Sequence, residues 1–142
     1  MRTLTWVVCM LLLVAGCGKE ASDPVPARTS PDGVWTYTTP DKSISVDFEL
    51  KTSNGVLSVV SASIVVGGTP GDAAAQLTDV NLPVIGKIRV NANDADLDMP
   101  YAITFNACSI ASDFNSISVA DASYTYPWGQ IKPLSGITIT RK

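Results

Sequence analysis

The chain has 142 residues, with 13 acidic and 10 basic side chains for a formal net charge of −3, and no histidine. A chain of this length makes one domain that buries roughly two-thirds of its unfolded surface without a metal or disulfide staple. The lack of a basic cluster argues against a nucleic-acid partner, and the lack of histidine removes Ser-His-Asp and Cys-His catalysis together with the usual zinc ligand sets.

Arg2 opens the chain with a positive charge, and Trp6 to Val14 (WVVCMLLLV) form an unbroken apolar run that ends in the small residues Ala15 and Gly16 before Cys17. Charge, oil and small residues in that order are the pattern of a secretion signal. The run is too short to span a bilayer, which takes about 20 apolar residues. Leu13 to Cys17 (LVAGC) resembles the lipobox of bacterial lipoproteins, with Val14 where leucine is usual. The resemblance implies cleavage between Gly16 and Cys17, and two or three lipid chains on the Cys17 thiol and its new amine. Each buried methylene contributes about 0.8 kcal/mol, so several chains hold firmly where one holds weakly. Gly18 stands where a Gram-negative lipoprotein kept in the inner membrane often has aspartate, which favours the outer membrane. Residues 1–16 are then a signal peptide, with Cys9 lost in it, and 17–33 are the lipidated cysteine and a flexible tether. That tether holds three prolines and no apolar periodicity after Cys17, and fully extended it reaches roughly 50 Å. Residues 34–142 are a β-rich domain.

The first strong element is SISVDFELK, where Ile44, Val46, Phe48 and Leu50 share one face and Ser45, Asp47, Glu49 and Lys51 the other. This alternation predicts a strand with one wet face. Asn54-Gly55 then predicts a tight hairpin, because both residues tolerate positive φ. The return run VLSVVSASIVVG is β-branched on both faces and predicts a central or doubly covered strand. In TPGDAAAQL the spacing predicts one short helix, capped by Asp72 and turning over Ala73 to Leu77. Further strands are expected at 85–92, 101–106, 116–120, 122–126 and 136–140, with Ile137 and Ile139 inward and Thr138 and Thr140 outward. Short strands separated by Gly, Pro, Asn and Asp predict an all-β domain, an antiparallel sandwich or a barrel.

Three constellations are candidate sites. In NANDADLD an extended chain aims Asp94, Asp96 and Asp98 to one side, a spacing that resembles the first three ligands of a calcium loop. The match then stops, since Met99-Pro100 replaces the turn glycine and Phe105 the bidentate glutamate; the alternative is a solvated acidic turn. In SYTYPWGQ, Tyr124, Tyr126 and Trp128 share an alternation face, as do Trp35 and Tyr37. Flat rings stack against the apolar face of a sugar, but aromatics are also ordinary core filling. Trp128, between Pro127 and Gly129, is the ring placed to be exposed. The third is a run of hydroxyls, including Ser58, Ser61, Ser63 and Thr138, readable as an adhesive face, an edge for strand addition or plain solvated surface. Cys108 has no partner once Cys17 is acylated, and reads as a small buried hydrophobe rather than a reactive thiol.

These features describe a lipid-anchored protein of the bacterial cell envelope with a binding or structural role, no enzymatic activity and no cofactor. It is joined to the membrane through its anchor and contacts an envelope protein partner. The alternative is a carbohydrate-binding module using Tyr124, Tyr126 and Trp128. A small hydrolase with paired carboxylates is a third reading, and it requires two acids about 5–10 Å apart in a cleft.

Overall fold

A computed structural model describes residues 28–94 and 98–142. The signal segment, Cys17, the tether up to residue 27, and Asp96 lie outside the described residues. The described chain is all-β, with strands β1 (Gly33–Thr38), β2 (Ile44–Ser53), β3 (Val56–Val66), β4 (Thr69–Asn81), β5 (Val84–Asp94), β6 (Met99–Ile110), β7 (Ser116–Thr125), β8 (Ile131–Pro133) and β9 (Thr138–Arg141). Each strand from β1 to β7 pairs antiparallel with the next. β9 then pairs with both β7 and β1, through Ile117↔Ile139 on one side and Trp35↔Arg141 on the other. The sheet therefore closes on itself as an eight-position barrel. The eighth position is shared: β8 lies against the Ser123–Thr125 end of β7 and β9 against its Ser116–Ser118 end.

Barrel closure places one face of every strand inside. An eight-stranded barrel has an interior just wide enough for side chains to fill, and here the filling is aromatic and branched. Trp35, Tyr37, Phe48 and Phe105 are essentially buried, packed with isoleucines from β3, β5, β6, β7 and β9. Tyr37 and Phe105 meet edge to face, with centroids 5.2 Å apart, and the Trp35 indole N–H donates to the carbonyl of Pro31 at 2.9 Å. The outer face of β2 carries Ser45, Asp47, Glu49 and Lys51, as its alternation predicts, and Asp47 pairs there with Lys142 at 2.6 Å. On β2, apolar side chains inside and polar ones outside are the reverse of what a lipid-spanning barrel requires.

The β2–β3 hairpin turns on Asn54 and Gly55, both at positive φ (53° and 77°), as expected of that dipeptide. Elsewhere the strict period of two breaks. Inward positions step by three from Ile85 to Ile88 on β5 and from Phe105 to Cys108 on β6. Asp79 and Ala107 lie in the left-handed region there, at φ 55° and 48°. Gly86 sits between them in the register, and a Cβ on it would lie 2.7 Å from the Asp79 Cβ. These aligned kinks bend neighbouring strands together without separating them.

Two sequence expectations need correction. The helix over 72–77 is instead the middle of β4, a strand of 13 residues. A helix of less than two turns does not recover its nucleation cost, whereas the two-residue turn at Gly67-Gly68 returns the chain directly along β3, pairing Val66 with Thr69. β3 is a central strand, as expected, flanked by β2 and β4, with its outward residues Ser58, Val60 and Ser61 exposed. The separate strands at 116–120 and 122–126 are one strand, β7.

Candidate functional site

The aromatic alternation of Tyr124, Tyr126 and Trp128 is the best-defined feature on the surface. β7 carries Tyr124 inward at 4% exposure, and the strand ends at Thr125. Beyond it a turn is closed by the Tyr126 N–H donating to the Gln130 carbonyl (2.8 Å) and the Gly129 N–H donating to the Tyr126 carbonyl (2.9 Å). The rings consequently form a ladder from core to solvent. Tyr101 and Tyr124 are tilted at 5.9 Å, Tyr124 and Tyr126 meet edge to face at 4.7 Å, and Tyr126 and Trp128 stack at 4.8 Å with 15° between planes. Tyr126 is half-buried and Trp128 is 61% exposed. Trp128 is thus a flat apolar shelf held by Tyr126 on one side, with its indole N–H directed to the Gln130 Oε1 at 3.4 Å. Trp35 and Tyr37, the other aromatic pair, are core residues and present no face to a ligand.

The inner end of the ladder reaches a mouth of the barrel. A cavity of about 160 Å³ there touches Tyr101, Tyr124, Asn93 and Asp94, well below the roughly 300 Å³ at which small-molecule pockets begin. Burial and the neighbouring phenols and Asp94 push the Tyr124 hydroxyl up to about 12, so it is a neutral donor at physiological pH. An open depression of about 690 Å³ lies nearby over β4 and β5, where Gly71, Ala74 and Ala92 lower the surface.

Of the three carboxylates in the acidic stretch, Asp94 and Asp98 are among the described residues. Asp94 ends β5 and pairs with Met99 at the start of β6, and Asp98, at φ 49°, donates its N–H to the Asp94 carbonyl at 2.9 Å. Asp94 and Asp98 are thus joined through their backbones, and Asp96 lies outside the described residues. No cluster of three metal-ligating side chains occurs among the described residues, which leave out Asp96. Cys108 is a core residue, 1% exposed, whose thiol burial pushes up to about 11. It stays a protonated thiol at neutral pH, without the nucleophilic character of a thiolate.

The residues just before β1, within the segment read as tether, are bonded to the barrel. Arg141 donates to the Ser30 carbonyl at 2.7 Å, and the Asp32 carboxylate accepts from the Thr52 N–H and hydroxyl at 2.9 and 2.7 Å. Sequence reasoning found the exposed ring but missed where β3 and β4 part. β4 contains no fully buried residue, a sign that its inward face is incompletely covered, and the signal for this lies in the pairing register rather than in residue type. In comparisons with known proteins the chain matches no family model, no curated protein and no solved structure.

Proposed function

We propose that this protein is a lipid-anchored component of the bacterial cell envelope, tethered through Cys17, whose barrel acts by binding a protein partner with its outer surface. The observation that carries the reading is the filled interior: Trp35, Tyr37, Phe48 and Phe105 occupy the space that a ligand-carrying barrel of this size keeps open. Binding therefore falls to the outside. The lipobox-like LVAGC supplies the anchor, and the polar outer wall suits a barrel held near a membrane rather than in it. The chain has no histidine and the buried thiol is protonated, which favours a non-enzymatic role.

Metabolic labelling with an alkyne fatty acid tests the anchor. The native protein incorporates label and fractionates with membranes, while Cys17→Ser does neither; label retained by Cys17→Ser refutes the anchor. Crosslinking in intact envelopes then captures one protein reproducibly from the anchored form and not from Cys17→Ser.

A second reading has its own observation, the Trp128 shelf. An indole 61% exposed and backed by a stacked tyrosine is suited to the apolar face of a sugar ring. Glycan-array binding that disappears in Trp128→Ala supports it; unchanged binding in that variant, or none in the native protein, rejects it.

A further inference from the structure

β3 and β4 leave their turn as a regular antiparallel pair and then part. Their ladder runs from Val66↔Thr69 to Ala62↔Ala73, and no described pair joins the remainder of β3 (56–61) to the remainder of β4 (74–81). The cause is a bulge. On the other edge of β3, Glu49 pairs with Ser61 and Leu50 with Val59, so Val60 is an extra residue, and an extra residue bends its strand away from regular pairing. The bulge falls immediately beyond the last β3–β4 pair.

Two free backbone edges consequently face one seam. Alternation that directs the peptide groups of Ala62, Ile64 and Val66 toward β4 also directs those of Leu57 and Val59 there, once the bulge is counted. On β4 the series Thr69, Gly71 and Ala73 continues to Ala75 and Leu77. The inward side chains Val59, Ala73, Ala75 and Leu77 are only half-buried, whereas inward residues on the other long strands are mostly buried. A cavity of about 230 Å³ sits at the fork, between Val59–Ala62 and Ala73–Ala75. The β4 edge from Ala73 to Thr78 (AAAQLT) has no charge and no proline, the residues by which natural edges are normally protected against pairing.

We propose that this seam is a strand-addition site that accepts one extended, uncharged segment of a partner protein as an additional barrel strand. An extended peptide backbone offers donors and acceptors to both edges at once, in the spacing of a ladder. The ladders on either side, β2–β3 and β4–β5, hold both edges in place, so the opening admits a lone segment. The edge of a second folded barrel would bring its own interior into the space this one occupies. The chain's own tether is excluded as the inserted segment by Pro24 and Pro26, which cannot donate to a ladder. Neutral side chains along both edges favour a neutral segment, with apolar residues at alternate positions covering Val59, Ala75 and Leu77. The site stands whether or not Cys17 carries lipid.

The test is selection of a random ten-residue peptide library, displayed on phage, against the full-length protein in detergent micelles. Enriched peptides are expected to lack proline and charge over at least four central residues. In amide exchange followed by NMR, such a peptide slows Leu57, Val59, Ala75 and Leu77 at least tenfold and leaves Ala74 and Gln76, whose amides face β5, unchanged. Methylating alternate peptide nitrogens leaves the protein untouched and weakens binding at least tenfold. No enrichment over a selection without protein, enrichment that leaves those four amides unprotected, or indifference to N-methylation overturns the proposal.

Discussion

Trp35 and Trp128 have the same side chain and opposite surroundings. Trp35 is buried, hydrogen-bonded to the Pro31 carbonyl, and lies under the Arg141 guanidinium at 5.9 Å. Replacing it with alanine removes all three relations and is expected to cost about 3–5 kcal/mol, enough to unfold much of a marginally stable domain. Trp128→Ala loses one stacking contact and is expected to cost under about 1 kcal/mol. Thermal melts of the two variants separate a core ring from a displayed one; equal destabilisation would contradict this assignment. Two buried acids set a second expectation at this scale. Tyr124 and Cys108 have pKa values raised by burial, from 10.0 to about 12 and from 9.0 to about 11. Both hold their protons more tightly folded than unfolded, so their contribution is intact below about pH 9 and is lost as pH rises through 11 and 12. The loss reaches at most about 3 kcal/mol per group. Urea midpoints measured from pH 8 to 12 should fall across that window; a flat profile would show that neither group is held neutral by the fold.

At the scale of elements, the β2–β3 hairpin depends on backbone conformation. A Cβ on Gly55 meets nothing within 4 Å, yet its φ is 77°, so Gly55→Ala tests strain alone and should cost about 1 kcal/mol. Gly86→Ala combines ordinary strand geometry with the 2.7 Å approach to Asp79 and should cost more, because aligned kinks on neighbouring strands must shift together. Urea unfolding of both variants ranks the two effects, and a smaller cost at Gly86 would mean that the kink yields easily. The same features govern how much of the fold was legible in sequence. β2 was legible because Ile44, Val46, Phe48 and Leu50 alternate without interruption, and the hairpin because Asn-Gly has one favoured use. β7 was divided near Ala120 because its inward series steps from Val119 to Ala122 across a kink. β4 was mistaken for a helix because alanine favours helix locally, while the strand is imposed by pairing with β3 and β5. Of the candidate site, the alternation of Tyr124, Tyr126 and Trp128 was visible. The place where the ladder leaves the barrel was not, because it depends on where β7 stops pairing. The seam was hidden for a similar reason: a bulge at Val60 is a relation between strands.

For the whole molecule, integrity rests on closure. β9 contributes only four residues, yet it joins β7 to β1 and buries Ile139 completely. Deleting residues 138–142 removes that joint together with the Asp47–Lys142 pair, and is expected to abolish the cooperative unfolding transition and the near-ultraviolet circular dichroism of the packed aromatics. A native-like melt from the truncated chain would show that the seven-strand meander is stable alone.

The union of Trp35 with Arg141 also orders events in time. β1 is made long before β9, its partner across the closure, and contacts so distant along the chain form slowly. Until β9 joins β1 the barrel stays open, and the rings that fill its interior remain within reach of water.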